Sequence, residues 1–407
     1  MNFTNKHLEN KLIILLFSII PIAYLIGSAI YEFIFFLIIL LFLSKLIKSR
    51  NIKQELKSNK SFLLLLILWM YLVINTFVSD NPYQSIQRNI LFIKFILLIF
   101  SFKYLIQSKI TLQIIMNIWS LTIIIVCFDV FYEFIFGSNL LGFKSPMENE
   151  RIVSFFKDEL IVGSFIFGFS FPIIVFFLKN KNYFTSTILS IIFILAIILS
   201  GERSMFFKLV FAVIILALFA VNFKKFKFLI VSFFVIILAF TMLSSNIKHR
   251  YTNTIQNTFS FNYDLNIYDN VLTTKYINQS LIAYELFKKN KAFGVGNKNY
   301  FSSCQNTLET KLKKECYIHP HQTYYELLSE HGILGSLIIL VIIYKLISNN
   351  YFNIKNDYFD IQMFLKIYLI ASMIPIIPTG SFFGSYAMSL FWLNYSFLQI
   401  YSNKSIQ

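Results

Sequence analysis

Long apolar runs are the feature of this sequence that most restricts its fold. Runs of about 17 to 25 apolar residues, the length an α-helix needs to cross a bilayer, recur about twelve times in the 407-residue chain. They lie at residues 12–28, 30–47, 61–78, 89–106, 110–136, 160–178, 184–200, 204–221, 226–243, 322–347, 362–378 and 381–401. Only 14% of the residues are charged, which excludes ordinary soluble domains, where the share is about a quarter. The sequence therefore predicts an all-α polytopic membrane protein with about twelve transmembrane helices.

The basic residues fall unevenly between the two sides of the membrane that alternating spans define. With a cytoplasmic N-terminus, eighteen Lys and Arg residues lie on cytoplasmic segments and five lie on the short outer loops. Because basic residues concentrate in cytoplasmic loops, we expect both termini inside. The net charge of +16 then reflects topology, and we do not expect nucleic acid as a partner. The chain divides into nine spans within 1–243, a large outer loop at 244–321 and three spans within 322–407.

Arginine is rare in this chain and lies mostly on the outer side. There are five Arg against 31 Lys, and only Arg50 falls on a cytoplasmic segment. The other four are Arg88, Arg151, Arg203 and Arg250. A guanidinium binds phosphate through two parallel hydrogen bonds and keeps its charge, so this distribution predicts an outer phosphate or pyrophosphate site. The alternative is that each Arg is solvated or paired locally, as Arg203 could be with Glu202.

Charged residues inside the predicted spans cluster toward the outer half of the membrane. By the helical rise, Lys94 lies about 9 Å inward from Arg88, and Asp129 lies about 10 Å inward from the outer end of its span. Charges in a bilayer are costly and are usually paired or functional. We expect Lys94 to pair with Asp129. The alternative is a polar cavity open to the outside, to which Glu133 and Lys208 would contribute.

The segment with the most chemical content lies where the large outer loop meets the tenth span. It begins at His319-Pro-His321 and continues through Glu330 to Gly335. Two His at this spacing can be metal ligands, although the sequence defines no further ligands for them. The other interpretation is that a neutral imidazole acts as a general base near neutral pH.

Four short segments of this chain, in this order, match the motifs of one family. They are Arg151 to Gly163, the turn Ser200 to Ser204, Gly294-Val-Gly296 followed by Tyr300, and His321-Gln322 followed by Glu330, Gly332 and Gly335. Together they resemble the O-antigen ligase and O-antigen polymerase superfamily of bacterial envelope enzymes, over residues 150–345. Family members usually carry Asn where this chain has Gln322, and the spacing to Glu330 favours His321 over His319 as the signature His.

The resemblance implies a fold and an activity. The fold would be that of a GT-C-like membrane glycosyltransferase with a large, mostly helical periplasmic loop, in the bacterial inner membrane. Such enzymes transfer a glycan, with inversion and without a metal ion or cofactor, from a polyprenyl-diphosphate lipid to an acceptor hydroxyl on the periplasmic face. A ligase uses lipid A-core as acceptor and a polymerase uses another lipid-linked glycan. The sequence leans toward a ligase and leaves the polymerase open.

The resemblance also implies roles for individual residues. His321 would deprotonate the acceptor hydroxyl, while Arg151 and Arg203 would hold the leaving diphosphate, an electrostatic role that often contributes most to catalysis. Glu330 would orient His321 or support the start of the helix. The expected substrate-binding residues are Arg88, Lys208, His319 and Gln322.

Two cysteines of the outer loop carry a further expectation. Cys304 and Cys316 lie on the side of the membrane where disulfides persist, so we expect them to be bonded and to pin the approach to the two His. Two free thiols are the alternative.

A competing function of another class is a lipid-linked oligosaccharide flippase or other carrier. Carriers show repeat symmetry and charges near the membrane centre, whereas this chain has one asymmetric outer loop and charges skewed outward. A protein-glycosylating relative is a further alternative.

Overall fold

The computed structural model describes residues 3–147, 151–219, 275–307, 316–348, 362–375 and 377–401, and over these residues the chain is helical with no strand. The helices are α1 (Phe3–Ser18), α2 (Ile20–Ile26), α3 (Ser28–Lys48), α4 (Arg50–Ser58), α5 (Lys60–Phe77), α6 (Pro82–Leu91), α7 (Ile93–Leu105), α8 (Lys109–Phe136), α9 (Val162–Lys179), α10 (Tyr183–Leu199), α11 (Arg203–Phe219), α12 (Lys275–Lys289), α13 (Tyr300–Thr307), α14 (Thr323–Ser348), α15 (Gln362–Ser372) and α16 (Ser385–Ile400). A single 3-10 turn, Ser154–Phe156, lies between α8 and α9.

Within the described ranges, six helical stretches are long and apolar enough to cross a membrane, and α1 with α2, bent by 44°, makes a seventh if the pair is one span. The six are Ser28–Lys48, Lys60–Phe77, Pro82–Leu105, Lys109–Phe136, Val162–Lys179 and Thr323–Ser348. The prediction of an all-α multi-pass membrane protein is therefore confirmed. The predicted run at 226–243 lies outside the described residues, as does much of the loop at 244–321.

A glycine separates the first two predicted spans. Gly27 has φ 145° and ψ 170°, a conformation that residues with a Cβ rarely adopt, and it lies between the end of α2 and the start of α3. Upstream, Pro21 stands in the first turn of α2, where its missing N–H leaves no helical bond unmade. The runs at 12–28 and 30–47 are therefore distinct helices rather than one long helix.

The predicted run at 362–378 is wrong at its C-terminal end, because α15 ends at Ser372. Pro375 and Pro378 follow within six residues. Proline lacks an N–H and disfavours helical backbone at the residue before it, so the apolar run continues past the helix. The non-helical segment between α15 and α16 becomes part of the site described below.

Helix α16 lies in the centre of the bundle. Every residue from Met388 to Ile400 is buried, and the helix packs against α7, α9 and α15. A helix that is buried on all sides is surrounded by other elements, so α16 forms part of the core of the bundle. The segment before it reaches the start of α14, where Thr379 donates its backbone N–H to the carbonyl of His321 at 2.8 Å.

Candidate active site

Helix α14 is interrupted near its first turns, at Gly332, whose φ of 62° and ψ of −168° are not helical. Backbone groups on both sides of the break bond to residues 291–296 of the preceding loop. The pairs are Val295 N–H to Ser329 O (2.8 Å), Gly296 N–H to Glu330 O (2.9 Å), Ile333 N–H to Lys291 O (2.8 Å) and Leu334 N–H to Ala292 O (3.1 Å). In an uninterrupted helix the carbonyl of Ser329 would accept from the N–H of Ile333, and that of Glu330 from the N–H of Leu334. The loop therefore supplies the partners that the break removes.

Close packing explains why glycines occupy this junction. A Cβ on Gly294 would overlap the backbone of Glu330, and a Cβ on Gly332 would overlap the backbone of Ala292. Both glycines also have positive φ, 69° and 62°, which disfavours any residue with a side chain. Gly335, the last glycine of the signature, lies directly against a side chain of α5. Gly294 and Gly332 thus permit the docking of the loop on α14, and Gly335 permits the close approach of α5.

The α5–α6 hairpin holds the same loop from its other side, through Asn297. The side-chain oxygen of Asn75 accepts the Asn297 backbone N–H at 3.0 Å, and that of Asn89 accepts its amide N–H at 2.6 Å. Ser85 donates its hydroxyl to the Asn297 carbonyl at 2.6 Å. All four side chains are fully buried, and buried polar groups are stable only when they are hydrogen-bonded. This network fixes the position of residues 294–300.

Two carboxylates on successive turns of α14 each hold a different segment. Glu330 accepts the backbone N–H groups of Lys298 at 3.0 Å and Tyr300 at 3.3 Å. Glu326 accepts the N–H of Phe382 at 2.7 Å and the hydroxyl of a serine in the α15–α16 segment. Both carboxylates are almost completely buried. Glu330, expected to orient His321 or support the helix start, thus has partners in the 298–300 backbone.

A cavity of about 260 Å³ opens between these segments. Its lining combines cations, a carboxylate, amide and hydroxyl groups and apolar side chains: Gln84, Arg88, Lys298, Phe301, Ile318, His319, Glu330 and Ser381. Arg88 reaches it from α6 and donates to the side-chain oxygen of Asn297 at 3.3 Å. Two cations beside apolar walls and several hydrogen-bonding groups can bind a sugar that carries a negatively charged group.

His319, which lines this cavity, lies next to His321. Nδ1 of His319 accepts the backbone N–H of His321 at 3.1 Å, and the two ring centroids are 4.0 Å apart. Burial, together with His321 and Arg88, lowers the pKa of His319 to about 4, so this ring is neutral at pH 7. Because Nδ1 accepts a hydrogen bond, the proton of the neutral ring lies on Nε2. His319 therefore presents a hydrogen-bond donor.

Gln322, which we expected to bind substrate, uses both ends of its amide within the protein. Its side-chain oxygen accepts the backbone N–H of Tyr325 at 2.7 Å, which caps the first turn of α14. Its amide nitrogen donates to the carbonyl of Pro375. Gln322 thus ties the start of α14 to the segment after α15.

Arg151, Glu202 and Lys208 form a second group of charges, where the stretch 151–163 meets the turn before α11. The Glu202 carboxylate accepts the backbone N–H of Gly163 at 2.6 Å. Burial raises the pKa of Glu202 to about 7, although Arg151 and Lys208 favour its charged form. Arg151 also donates to the carbonyl of Leu160. The structure therefore brings together two of the predicted diphosphate-binding cations, Arg151 and Lys208.

Arg203 begins α11 and follows Glu202 directly. No ion pair joins it to any residue of the described part of the chain, so a local Arg203–Glu202 pair is not formed there. A Cβ on Gly163 would overlap the Ser200 side chain, which keeps the stretch 151–163 pressed against the turn that carries Arg203.

The predicted pairing of Lys94 with Asp129 is wrong. Lys94 forms an ion pair with Glu32 of α3 at 2.6 Å, and Asp129 is fully buried and accepts the Ser154 hydroxyl at 2.5 Å and the Leu140 N–H at 2.8 Å. Lys94 and Asp129 were predicted to lie at the same depth in the membrane, but depth does not determine which neighbouring helix each side chain faces.

Part of the sequence that forms this site matches a known protein family. Residues 188–340, from α10 through the break in α14, match the family model described as O-antigen ligase. This match supports the resemblance to the O-antigen ligase and polymerase superfamily over that segment of the chain. No curated protein matches it. The match supports a function of the ligase or polymerase type in a multi-pass membrane protein.

The site residues predicted from the sequence thus separate into two groups. Arg88, His319 and Glu330 line one cavity, whereas Arg151 and Lys208 surround Glu202. The segment before α16 and the first turn of α16 reach both groups, because Ser381 bonds Glu326 beside the cavity and Tyr386 donates to the carbonyl of Ile161, which follows the Leu160 carbonyl that Arg151 binds.

Several residues that build this ligase-type site were not predicted from the sequence. They are Asn75, Ser85, Asn89, Asn297, Glu326 and Ser381. The available signal was a set of Asn and Ser at the outer ends of apolar helices, where a buried amide requires partners. A single sequence does not indicate which partners those are.

The two outer cysteines are joined in a disulfide, with their Cα atoms 6.0 Å apart. Cys304 is fully buried on α13. Cys316 lies in the non-helical segment that leads to His319. In this O-antigen ligase relative, the bond connects the histidine segment to the helix that starts at Tyr300, whose N–H is held by Glu330.

Proposed function

We propose that this protein is a metal-independent, inverting glycosyltransferase that transfers a glycan from a polyprenyl-diphosphate lipid to an acceptor hydroxyl on the periplasmic face of the inner membrane. The favoured acceptor is lipid A-core, which makes the enzyme an O-antigen ligase. The observation that carries the proposal is the placement of Arg88, His319 and Glu330 around one cavity with cationic and hydrogen-bonding groups, the last two of them within the family-matched segment.

In the proposed reaction the acceptor oxygen bonds to the anomeric carbon of the donor as the bond from that carbon to the diphosphate oxygen breaks. The leaving oxygen keeps the electron pair, and the acceptor proton passes to the base. Attack from the side opposite the diphosphate inverts the anomeric centre. The developing charge on the diphosphate is stabilised by guanidinium groups, for which we propose Arg151 and Arg203, with Lys208 nearby.

The base we propose is His321 rather than His319. His319 is neutral and donates through Nε2, because its Nδ1 accepts the His321 N–H. It cannot take a proton at Nδ1 without losing that hydrogen bond. A donor suits a substrate-binding role toward a sugar hydroxyl, and we assign proton abstraction to His321, which is partly exposed beside it.

Purified protein in nanodiscs, given a polyprenyl-diphosphate-linked glycan and lipid A-core, tests this function. We expect transfer by the wild type, and a loss of about 100-fold or more in turnover in His321→Ala and Arg203→Ala. His7→Ala, an exposed His near the N-terminus, is the matched control and should retain full activity. Unchanged turnover in both site variants would contradict the assignment.

A polymerase is the second candidate, because it differs only in the acceptor. In the same assay without lipid A-core, a polymerase lengthens the lipid-linked glycan, whereas a ligase leaves it unchanged. In cells that lack the protein, full-length unattached polymer indicates a ligase and single repeat units on the core indicate a polymerase. A carrier would produce neither product in the purified assay.

A further inference from the structure

Ser154 is a backbone outlier in the stretch that carries Arg151. It has φ 51° and is completely buried. A non-glycine residue at positive φ is strained and persists only when its surroundings hold it there. Such strain is concentrated at functional sites, so the contacts that maintain it point to what the turn does.

The contacts around Ser154 satisfy its whole backbone and side chain. Glu133 accepts the Ser154 N–H at 2.6 Å and the Val153 N–H at 3.2 Å. Asp129, one turn earlier on α8, accepts the Ser154 hydroxyl at 2.5 Å. The Asn139 amide donates to the Ser154 carbonyl at 2.8 Å. Two carboxylates of a membrane-spanning helix are thus directed at one residue of the outer stretch.

The residues next to this turn place the guanidinium of Arg151. Ile152 donates its backbone N–H to the carbonyl of Ser200 at 3.1 Å, which sets Arg151 beside the turn that leads to Arg203. From there Arg151 lies near Glu202. Only Val153 separates Ile152 from Ser154. A change in the Ser154 conformation would therefore displace the Arg151 side chain relative to Arg203.

We propose that Glu133 and Asp129 are positioning residues for Arg151, and that their carboxylates hold the strained Ser154 turn so that the Arg151 guanidinium faces the diphosphate of the lipid donor. This inference rests on the proposed function for the identity of the bound group. It accounts for two buried carboxylates that the ligase signature does not include. The proposal requires that the two carboxylates act on the lipid donor through Arg151 and do not contact the donor themselves.

Binding of a polyprenyl diphosphate without a sugar, measured by microscale thermophoresis on protein in nanodiscs, tests this without requiring turnover. We expect Arg151→Ala and Glu133→Gln each to weaken binding about tenfold or more, the loss typical of a hydrogen bond to a charged group. In the double variant, Glu133→Gln should add less than about twofold, because its effect passes through Arg151. Asp158→Asn, an exposed carboxyl on the same stretch, is the matched control.

Each outcome decides a separate question. If Glu133→Gln weakens binding equally with and without Arg151, or leaves it unchanged while Arg151→Ala weakens it, the positioning role is wrong and the donor site stands. If the wild type does not bind the polyprenyl diphosphate, the proposed donor class itself is wrong. Equal thermal unfolding temperatures of Glu133→Gln and wild type in detergent show that lost binding is not lost folding.

Discussion

Nδ1 of His319 accepts the backbone N–H of His321 at 3.1 Å, so the two neighbouring His of this site have different hydrogen-bonding capacities. Burial, His321 and Arg88 lower the pKa of His319 to about 4, so its ring takes up a proton only as the pH falls toward 4. We therefore expect His319→Gln to raise the KM for substrate and to leave the acid limb of the pH–rate profile between pH 5 and 8 in place. Loss of that limb in His319→Gln would instead assign the titrating base to His319.

Removal of metal ions is a direct check on the alternative use of the same two His. With its Nδ1 occupied by the His321 N–H, His319 has only Nε2 to offer a metal. We expect transfer activity to be unchanged after dialysis against EDTA and after addition of Zn²⁺ at equimolar amounts. Loss of activity in EDTA that Zn²⁺ restores would favour a metal site over general-base catalysis.

Glu202 is expected to make the stability of the protein depend on pH. Burial raises its folded-state pKa to about 7, while the unfolded value stays near 4.3. The folded state therefore binds more protons between these values, and stability is lost as the pH rises through 7. The total effect is about 4 kcal/mol. Thermal unfolding in detergent from pH 5 to 8 should show this decline in the wild type and a flatter response in Glu202→Gln. Parallel curves would show that Glu202 does not titrate in this range.

The break in α14 is expected to tolerate no side chain at Gly332. Gly332→Ala must place a Cβ at φ 62° against the backbone of Ala292, and backbone cannot move aside as a side chain can. We expect a destabilisation of about 3 kcal/mol or more, from the strain and the overlap together. Gly380→Ala, where a Cβ would meet nothing within 4 Å, is the control and should unfold at the wild-type temperature. Similar unfolding of the two variants would contradict the loop docking.

The disulfide between Cys304 and Cys316 is expected to hold the histidine segment. Reduction opens a loop with a sequence separation of 12, and closing loops of this size contributes about 3 kcal/mol. Cys304→Ser with Cys316→Ser should lower the unfolding temperature and raise KM. Thiol titration of the denatured, unreduced wild type should give one thiol, that of Cys127, whereas three would show that the bond is absent.

The sequence was sufficient to predict the helical membrane fold. The length of each apolar run, and the basic residues in the loops between runs, can be read from short stretches of sequence. The sequence also singled out Arg88, His319 and Glu330, which the structure places around one cavity, because such residue types on the outer side are conspicuous in a chain rich in Lys and Ile. It was not sufficient for pairings such as Lys94 with Glu32. These depend on how each helix is rotated about its axis, which is set by the packing of the whole bundle.

The hydrogen-bond network of Asn297 lay beyond sequence reasoning for a related reason. Its partners Asn75, Ser85 and Asn89 lie more than 200 residues earlier in the chain. Each is an ordinary polar residue near the end of an apolar helix. They share a partner, Asn297, only because the 291–296 loop docks into α14.

That docking has a consequence for how the site can change during evolution. The family-matched region starts at residue 188, yet three of the side chains that hold its loop come from α5 and α6. A substitution in either part leaves a buried amide of the other without its partner. Asn75, Ser85 and Asn89 should therefore covary with Asn297 among relatives, and an exchange of the 188–340 segment between family members should succeed only when α5 and α6 are exchanged with it.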